Sequence, residues 1–256
     1  VRAPHAALAR YYRDEEGRRR FLDSMFDQTA ASYDRLDALM SLGSGPRYRS
    51  WALRRAGMGP GMRVLDVATG TGAVSRVAVG LVGPSGFVVG IDPSPGMLAE
   101  QARRPSPAHL VRGLAESLPF AADTFDFVTM GYALRHVPDL VATFREYRRV
   151  LRPGGRLLVL DFYRARHAAV RGLGRLYLGV LVPRMARVAC ASRPVQRLME
   201  YCWDTVASSL PPAVIAETLA ASGLADVRVK GWGLIAEYHA VRPATPSPAG
   251  EVAAAP

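Results

Sequence analysis

The stretch Val64-Leu65-Asp66-Val67-Ala68-Thr69-Gly70-Thr71-Gly72 constrains the fold of this chain more than any other. An apolar strand runs straight into a loop carrying Gly70 and Gly72, and a helical pattern follows at once, Ala73-Val74-Ser75-Arg76-Val77-Ala78. A second apolar strand, Phe87-Val88-Val89-Gly90-Ile91, then ends on Asp92. Strand, glycine loop, helix and a second strand tipped with an acid make the first half of a nucleotide-type βαβ unit. The glycines let the backbone pass close beneath a ligand, and the helix N-terminus presents unpaired N–H groups to a carboxylate or phosphate. An acid at the tip of the second strand accepts hydrogen bonds from both hydroxyls of a ribose. The ligand class this predicts is an adenosine-containing cofactor.

A dinucleotide fingerprint asks for a third glycine, which permits close packing around a pyrophosphate. Here that position is Ser75, which suits a cofactor without pyrophosphate. S-adenosylmethionine is such a cofactor, and its carboxylate would lie at the loop. Two-glycine loops also occur as plain tight turns.

The rest of the chain reads as alternating strands and helices. Strands are predicted at 63–67, 87–91, 108–112, 125–130 and 156–161, with helices at 72–82, 94–103 and 138–151. Parallel strands joined by helical crossovers give a doubly wound sheet, with ligands at the carboxyl ends of the strands, where Ala68, Asp92, Gly113 and Met130 fall. Residues 1–20 are basic and helical in pattern, and 21–42 form a helix-rich lead-in. Residues 164–222 read as a helical insertion, with a strongly apolar run at 173–182 flanked by Arg171, Arg184 and Arg187. Further helices are expected near 194–209 and 211–222, two last strands near 225–231 and 234–241, and a disordered tail from Pro243.

Three downstream segments carry a family resemblance: Ala115-Glu116-Ser117-Leu118-Pro119-Phe120, Asp123-Thr124-Phe125-Asp126-Phe127-Val128, and Arg149-Val150-Leu151-Arg152-Pro153-Gly154-Gly155 running on to Leu160. In this order and spacing the chain resembles class I S-adenosylmethionine-dependent methyltransferases. Met25-Phe26-Asp27-Gln28-Thr29-Ala30-Ala31-Ser32-Tyr33-Asp34, Leu39-Met40-Ser41-Leu42-Gly43 and Gly131-Tyr132-Ala133-Leu134-Arg135-His136-Val137 narrow it. They resemble the ubiquinone/menaquinone biosynthesis C-methyltransferase family, over roughly residues 14–240. The resemblance implies an α/β, Rossmann-like fold: a doubly wound, mostly parallel seven-stranded sheet with an N-terminal helical lid and a helical insertion after the fifth strand. The implied division is a lid at 1–61, a core at 62–242 holding the insertion 164–222, and the tail 243–256.

Length and charge agree with one α/β domain. The chain has 256 residues and a net charge of +11 dominated by arginine. That excess reads first as the codon usage of a GC-rich genome and second as attraction to an anionic membrane surface or acidic substrate. The arginines are dispersed and not interleaved with aromatics, so no nucleic-acid partner is expected. Cys190 and Cys202 read as small core residues or free thiols, and no metal cluster is expected. With no leader pattern and no membrane-length apolar run, a cytoplasmic protein is expected, with peripheral membrane contact and self-association left open.

The expected cofactor shell is Ala68, Gly70, Thr71, Gly72, Asp92, Pro93, Met97, Leu114, Ala115 and Gly131. Gly70, Thr71 and Gly72 would line the methionine end, Asp92 the ribose, and Met97 the adenine. Leu114 stands where the family often has Asp or Asn and cannot accept from the exocyclic amine, whereas the Ala115 N–H can still meet a ring nitrogen. By resemblance, Tyr33 and Arg135 match family positions near the transferred methyl group. Arg135 could stabilise an oxyanion. His136 stands where the quinone enzymes usually have Asn; it reads either as a base for a phenol proton or as a helix-start residue bonding the backbone. Asp161 reads as a second polar group at the pocket floor or as a structural cap. The substrate expected is a hydrophobic small molecule, an aromatic or quinol ring with a prenyl chain, methylated at carbon. Rival readings are C- or O-methylation of a natural-product scaffold, a nicotinamide-dependent oxidoreductase using the same loop, and a non-catalytic binding protein of this fold.

Overall fold

The computed structural model describes residues 2–6, 8–104, 108–165, 167–190 and 192–244. Helices α1 (Glu15–Ser41) and α2 (Gly45–Arg55) precede the sheet. The sheet comprises β1 (Arg63–Val67), β2 (Phe87–Asp92), β3 (His109–Arg112), β4 (Phe125–Gly131), β5 (Leu151–Phe162), β6 (Ala225–Trp232) and β7 (Ile235–Val241). Helices α3 (Ala73–Val82), α4 (Pro95–Ala102) and α5 (Leu140–Val150) connect its parallel strands. Between β5 and β6 lie α6 (Ala168–Leu176), a π-helical turn at Tyr177–Leu181, α7 (Val182–Cys190), α8 (Arg193–Ala207) and α9 (Pro212–Ala221).

The strand order is β3-β2-β1-β4-β5-β7-β6. The first five strands run parallel, and β7 enters antiparallel between β5 and β6. Parallel strands covered on both faces read as near-continuous apolar runs, which is why Val64-Leu65 and Leu157-Leu158-Val159-Leu160 are buried throughout. On one face Phe144 and Tyr147 of α5 and Ile215 and Leu219 of α9 pack on Leu65, Val128 and Val159. On the other, Leu53 of α2 and Ala78 and Leu81 of α3 pack on Val64, Phe127 and Leu158. A third cluster joins Leu22, Met25 and Leu36 of α1 to Val182 of α7 and Val195, Leu198 and Tyr201 of α8, forming a roof over the strand ends.

The site is positioned by the register. Val67 lies opposite both Ile91 of β2 and Met130 of β4. The winding reverses between those neighbours, so a crevice opens at the carboxyl ends of β1, β2 and β4. Ala68, Asp92 and Gly131 meet there.

Three boundaries differ from expectation. The helical pattern over 1–20 is realised only from Glu15: Asp14 accepts the Gly17 N–H at 2.6 Å, and Glu15 and Glu16 fill the first turn. Upstream, the chain bridges His5 to Ser209, and the Leu210 N–H donates to the Pro4 carbonyl. Strand β5 starts at Leu151 rather than at 156, because Arg152-Pro153-Gly154-Gly155 is a bulged strand and not a free turn. Leu151 pairs with Phe125, and Gly154 and Gly155 exchange backbone hydrogen bonds with Arg242. Finally α9, read with the insertion, packs on α5 and β6 as part of the core, leaving α6 to α8 as the roof. The tail beyond Ala244 and the side chain of Cys190 lie outside the described residues.

Candidate active site

The β1–α3 loop is built for close approach. Ala68, Gly70 and Gly72 all have positive φ, at 53°, 56° and 84°. A Cβ on Gly70 would meet nothing within 4 Å, so its backbone faces open space. Gly72 does a different job. It caps α3 outside the cavity lining, and a Cβ there would meet the Gln101 side chain at 2.6 Å. Beneath the loop, Ser75 explains itself. Its hydroxyl donates to Asp66 Oδ2 at 2.7 Å and lies 2.8 Å from Thr69 Oγ1, which also bonds Asp66. A third glycine would leave this buried carboxylate short of a partner. Burial still lifts Asp66 to about 6.

Asp92 is also buried and is lifted to about 6 by desolvation. One oxygen accepts the Gly70 N–H at 2.8 Å and the other the Ser94 N–H at 2.9 Å. Each oxygen keeps a lone pair for a further donor. Ser94 then caps α4 by accepting from the Met97 N–H. Asp92, Pro93, Met97, Leu114 and Ala115 line one cavity of about 770 Å³ with Ala68, Gly70, Thr71 and Gly131. Tyr33, Arg135 and His136 line the same cavity, so the sequence-predicted residues converge there with Gly72 set aside.

Arg135 is held at the cavity wall. Its Nη1 donates to Asp161 Oδ1 at 2.5 Å and to the Tyr132 carbonyl at 2.7 Å, and its backbone N–H donates to Asp161 Oδ2 at 2.9 Å. The neighbouring carboxylate keeps the guanidinium charged against the opposing pull of burial. Its Nε has no acceptor in the protein. Asp161 therefore orients Arg135 and does not line the cavity itself. Tyr33 is pushed up to about 12 by burial, so its phenol stays protonated.

His136 sits in a short 3₁₀ turn at Leu134–His136. Its ring stacks on Tyr201 and meets Phe26 edge-on, with centroids 5.7 and 5.3 Å away. Its Nδ1 is buried and makes no hydrogen bond, so the ring does not cap the backbone. Burial, then the nearby Arg135, His5 and Arg18, hold its pKa well below the usual histidine value. The imidazole is neutral at physiological pH.

The sequence assigned no role to several residues at the cavity wall and behind it. Asp27 accepts from Ser94 Oγ at 2.5 Å and the Gly96 N–H at 2.9 Å, while Asp34 accepts from Thr71 Oγ1 and pairs with Arg104 at 2.6 Å. These two acids, one helix face of α1, fasten it across both cofactor loops. Tyr132, at φ 62°, packs against Phe162 and under the Arg49 guanidinium, itself paired with Asp37. Tyr177, from the π-helical turn, donates to the Leu39 carbonyl at 3.0 Å. Only acids spaced seven apart in 27–34 hinted at any of this; the other contacts join distant segments. Among the described residues, no group of three His, Cys, Asp or Glu side chains could hold a metal ion.

A fold with this switch-point cavity, and with the segments at 25–43 and 131–137 folded onto it, can be set beside known proteins. Residues 13–236 match the model of the ubiE/COQ5 methyltransferase family. The chain belongs to that family. It is 40% identical over 222 residues to a demethylmenaquinone methyltransferase of Mycolicibacterium paratuberculosis, covering 86% of this chain and 93% of the relative. A protein of the same name from Mycobacterium tuberculosis is 37% identical over 227 residues, covering 88% and 94%. A methyltransferase structure from Thermotoga maritima has a TM-score of 0.62 at 18% identity, covering 86% of this chain and 99% of its own, and so shows the shared fold. The ubiE/COQ5-family chain is an S-adenosylmethionine-dependent methyltransferase. The oxidoreductase reading is thereby excluded. The donor set fits the cofactor: open space above Gly70 at the loop, and at Asp92 a buried carboxylate with a free lone pair on each oxygen.

Proposed function

We propose that this methyltransferase places a methyl group on a ring carbon of an aromatic or quinol compound bearing a hydrophobic chain. The observation that carries this reading is that one cavity joins the Asp92 loop and Arg135 to the apolar side chains Met40, Leu42, Phe162, Tyr177 and Ile235. The relatives named demethylmenaquinone methyltransferase support the quinol as the ring.

Asp92 would hold the ribose, Gly70 and Thr71 the amino-acid end, and Met97 the adenine. When bound, S-adenosylmethionine supplies an electrophilic methyl group on a sulfonium sulfur. A ring carbon becomes a good nucleophile when the adjacent hydroxyl gives up its proton. Arg135 is placed to stabilise the resulting oxyanion. Its two-point clamp by Asp161 fixes the fork at the cavity wall. His136, neutral and lining the cavity, can accept the phenolic proton, and the ring C–H proton that the methyl group replaces leaves afterwards to restore aromaticity. Tyr33, protonated throughout the physiological range, serves as a donor and not as a base. Leu114 at the adenine wall and His136 beside Arg135 are departures from the quinone pattern. They favour as second reading C- or O-methylation of another hydrophobic, ring-bearing scaffold.

Incubation with methyl-labelled cofactor and chemically reduced demethylmenaquinone, followed by NMR of the product, tests the proposal. A new C-methyl group is expected. Labelling on oxygen, or turnover of other phenols with none of the quinol, would replace it with the second reading.

A further inference from the structure

We infer that the α6–α7 helix is a docking face for an anionic lipid bilayer, beside the cavity mouth. The helix 168–190 runs through the π-helical turn without a break. One face is buried: Gly174, Leu178, Val182 and Ala186 pack into the molecule, Gly174 close against Leu234. The face turned to solvent is apolar as well. Leu173, Leu176, Leu181, Met185 and Val188 are exposed, Leu173 to 67% and Val188 to 84%. With 3.6 residues per turn throughout, the last three would sit roughly a third of a turn away from the first two. The wider π turn between them takes up most of that offset and gathers the five onto one stripe. A contiguous exposed apolar stripe marks an interaction surface.

Charge selects the occupant. Between Asp161 and Glu200 the sequence contains no acidic residue and eight arginines, at 164, 166, 171, 175, 184, 187, 193 and 197. Arg175, Arg184 and Arg187 are exposed along the stripe itself. Leucines edged by arginines, on a helix that no acid interrupts, match the interface of an anionic membrane. Among the described residues no helix is long and apolar enough to cross one, so the contact is a surface one. The stripe adjoins the site through the same helix. Tyr177 lines the cavity and bonds Leu39 and Met40, and the next exposed apolar side chain, Leu42, is 77% exposed and also lines the cavity. A lipid-soluble substrate could then pass from bilayer to cavity without crossing water. That purpose rests on the proposed substrate class; the docking does not.

Co-sedimentation of the whole protein with phosphatidylglycerol vesicles, without cofactor or substrate, tests it. Binding is expected, with about tenfold less on phosphatidylcholine vesicles and loss on raising salt from about 0.05 to about 0.5 M. The combined variant Leu176→Ser, Met185→Ser, Val188→Ser should lose about tenfold in binding at unchanged melting temperature, since all three side chains are exposed. So should Arg175→Glu, Arg184→Glu, Arg187→Glu. None of the six lines the cavity, so turnover of a short-chain, water-soluble quinol should be unchanged. No vesicle binding, or binding indifferent to both variants, overturns the inference. So does a dimer that the apolar variant disperses while the parent ignores vesicles, because a second copy then covers the stripe. Failure of the quinol assay alone touches only the proposed substrate.

Discussion

At Asp92 the two backbone hydrogen bonds hold the carboxylate where a ribose would meet it, so its loss removes charge-assisted acceptors. Asp92→Ala should weaken binding of S-adenosylhomocysteine by about 2–3 kcal/mol in calorimetry. Because burial lifts Asp92 to about 6, the same affinity should fall as pH drops below 6, approaching tenfold per pH unit. An affinity flat from pH 7 to 5 would separate Asp92 from the cofactor. His136 behaves in the opposite sense. Its pKa is held well below the ordinary value, so with cofactor saturating, single-turnover rates should show no acid limb near 6.5. His136→Ala should lower the turnover number much more than it alters cofactor affinity. His136→Asn restores activity only if Arg135 and water suffice. An unchanged rate in His136→Ala would make the ring structural. Asp161→Asn leaves Arg135 charged and buried without its counterion, an expected cost of about 3–5 kcal/mol in chemical denaturation, with turnover lost and cofactor affinity kept. Equal losses in both would assign Asp161 to the fold alone.

Among the elements, α1 packs on the roof helices α7 and α8 through Leu22, Met25 and Leu36 and is tied to the cofactor loops through Asp27 and Asp34. Asp27 reaches α4, and Asp34 reaches Thr71, Arg76 and Arg104. Half-exposed ion pairs of this kind contribute little each, so residues 21–42 should exchange amide hydrogens faster than the sheet and slow down with S-adenosylhomocysteine and substrate present. Equal, strong protection in both states would remove the lid. Helical periodicity revealed that a helix existed here. Which of its faces met the loops depended on where β1 and β2 end, which no local pattern contains.

For the whole molecule, acid is the expected weakness. Glu237, fully buried in β7, pairs with Arg55 of α2, accepts from Tyr48 at 2.8 Å and lies 3.0 Å from His239. These partners hold it down to about 2 against an ordinary 4.5. A depressed carboxylate stabilises above its unfolded value and loses that contribution, on the order of 3 kcal/mol, as pH falls from 4.5 towards 2. His136, which the folded state keeps neutral, begins to oppose folding below 6.5. Denaturation of Glu237→Gln across this range should show a flatter pH dependence and lower stability at pH 7; an unaltered slope would move the acid sensitivity elsewhere. The sequence alone determined the strand–loop–helix–acid unit, the alternation behind it and the cofactor class, because φ-positive glycines, short apolar strand runs and a strand-end acid are properties of short segments. Tertiary structure decided the rest. It set Gly72 apart from the cavity, turned Ser75 into a support for Asp66, and left the His136 ring unbonded between two aromatic rings. It also made Arg152–Gly155 a strand, gave α9 to the core and gathered an apolar stripe across a π turn. Each of these depends on a partner far away in the chain, and burial and pairing exist only once those partners meet.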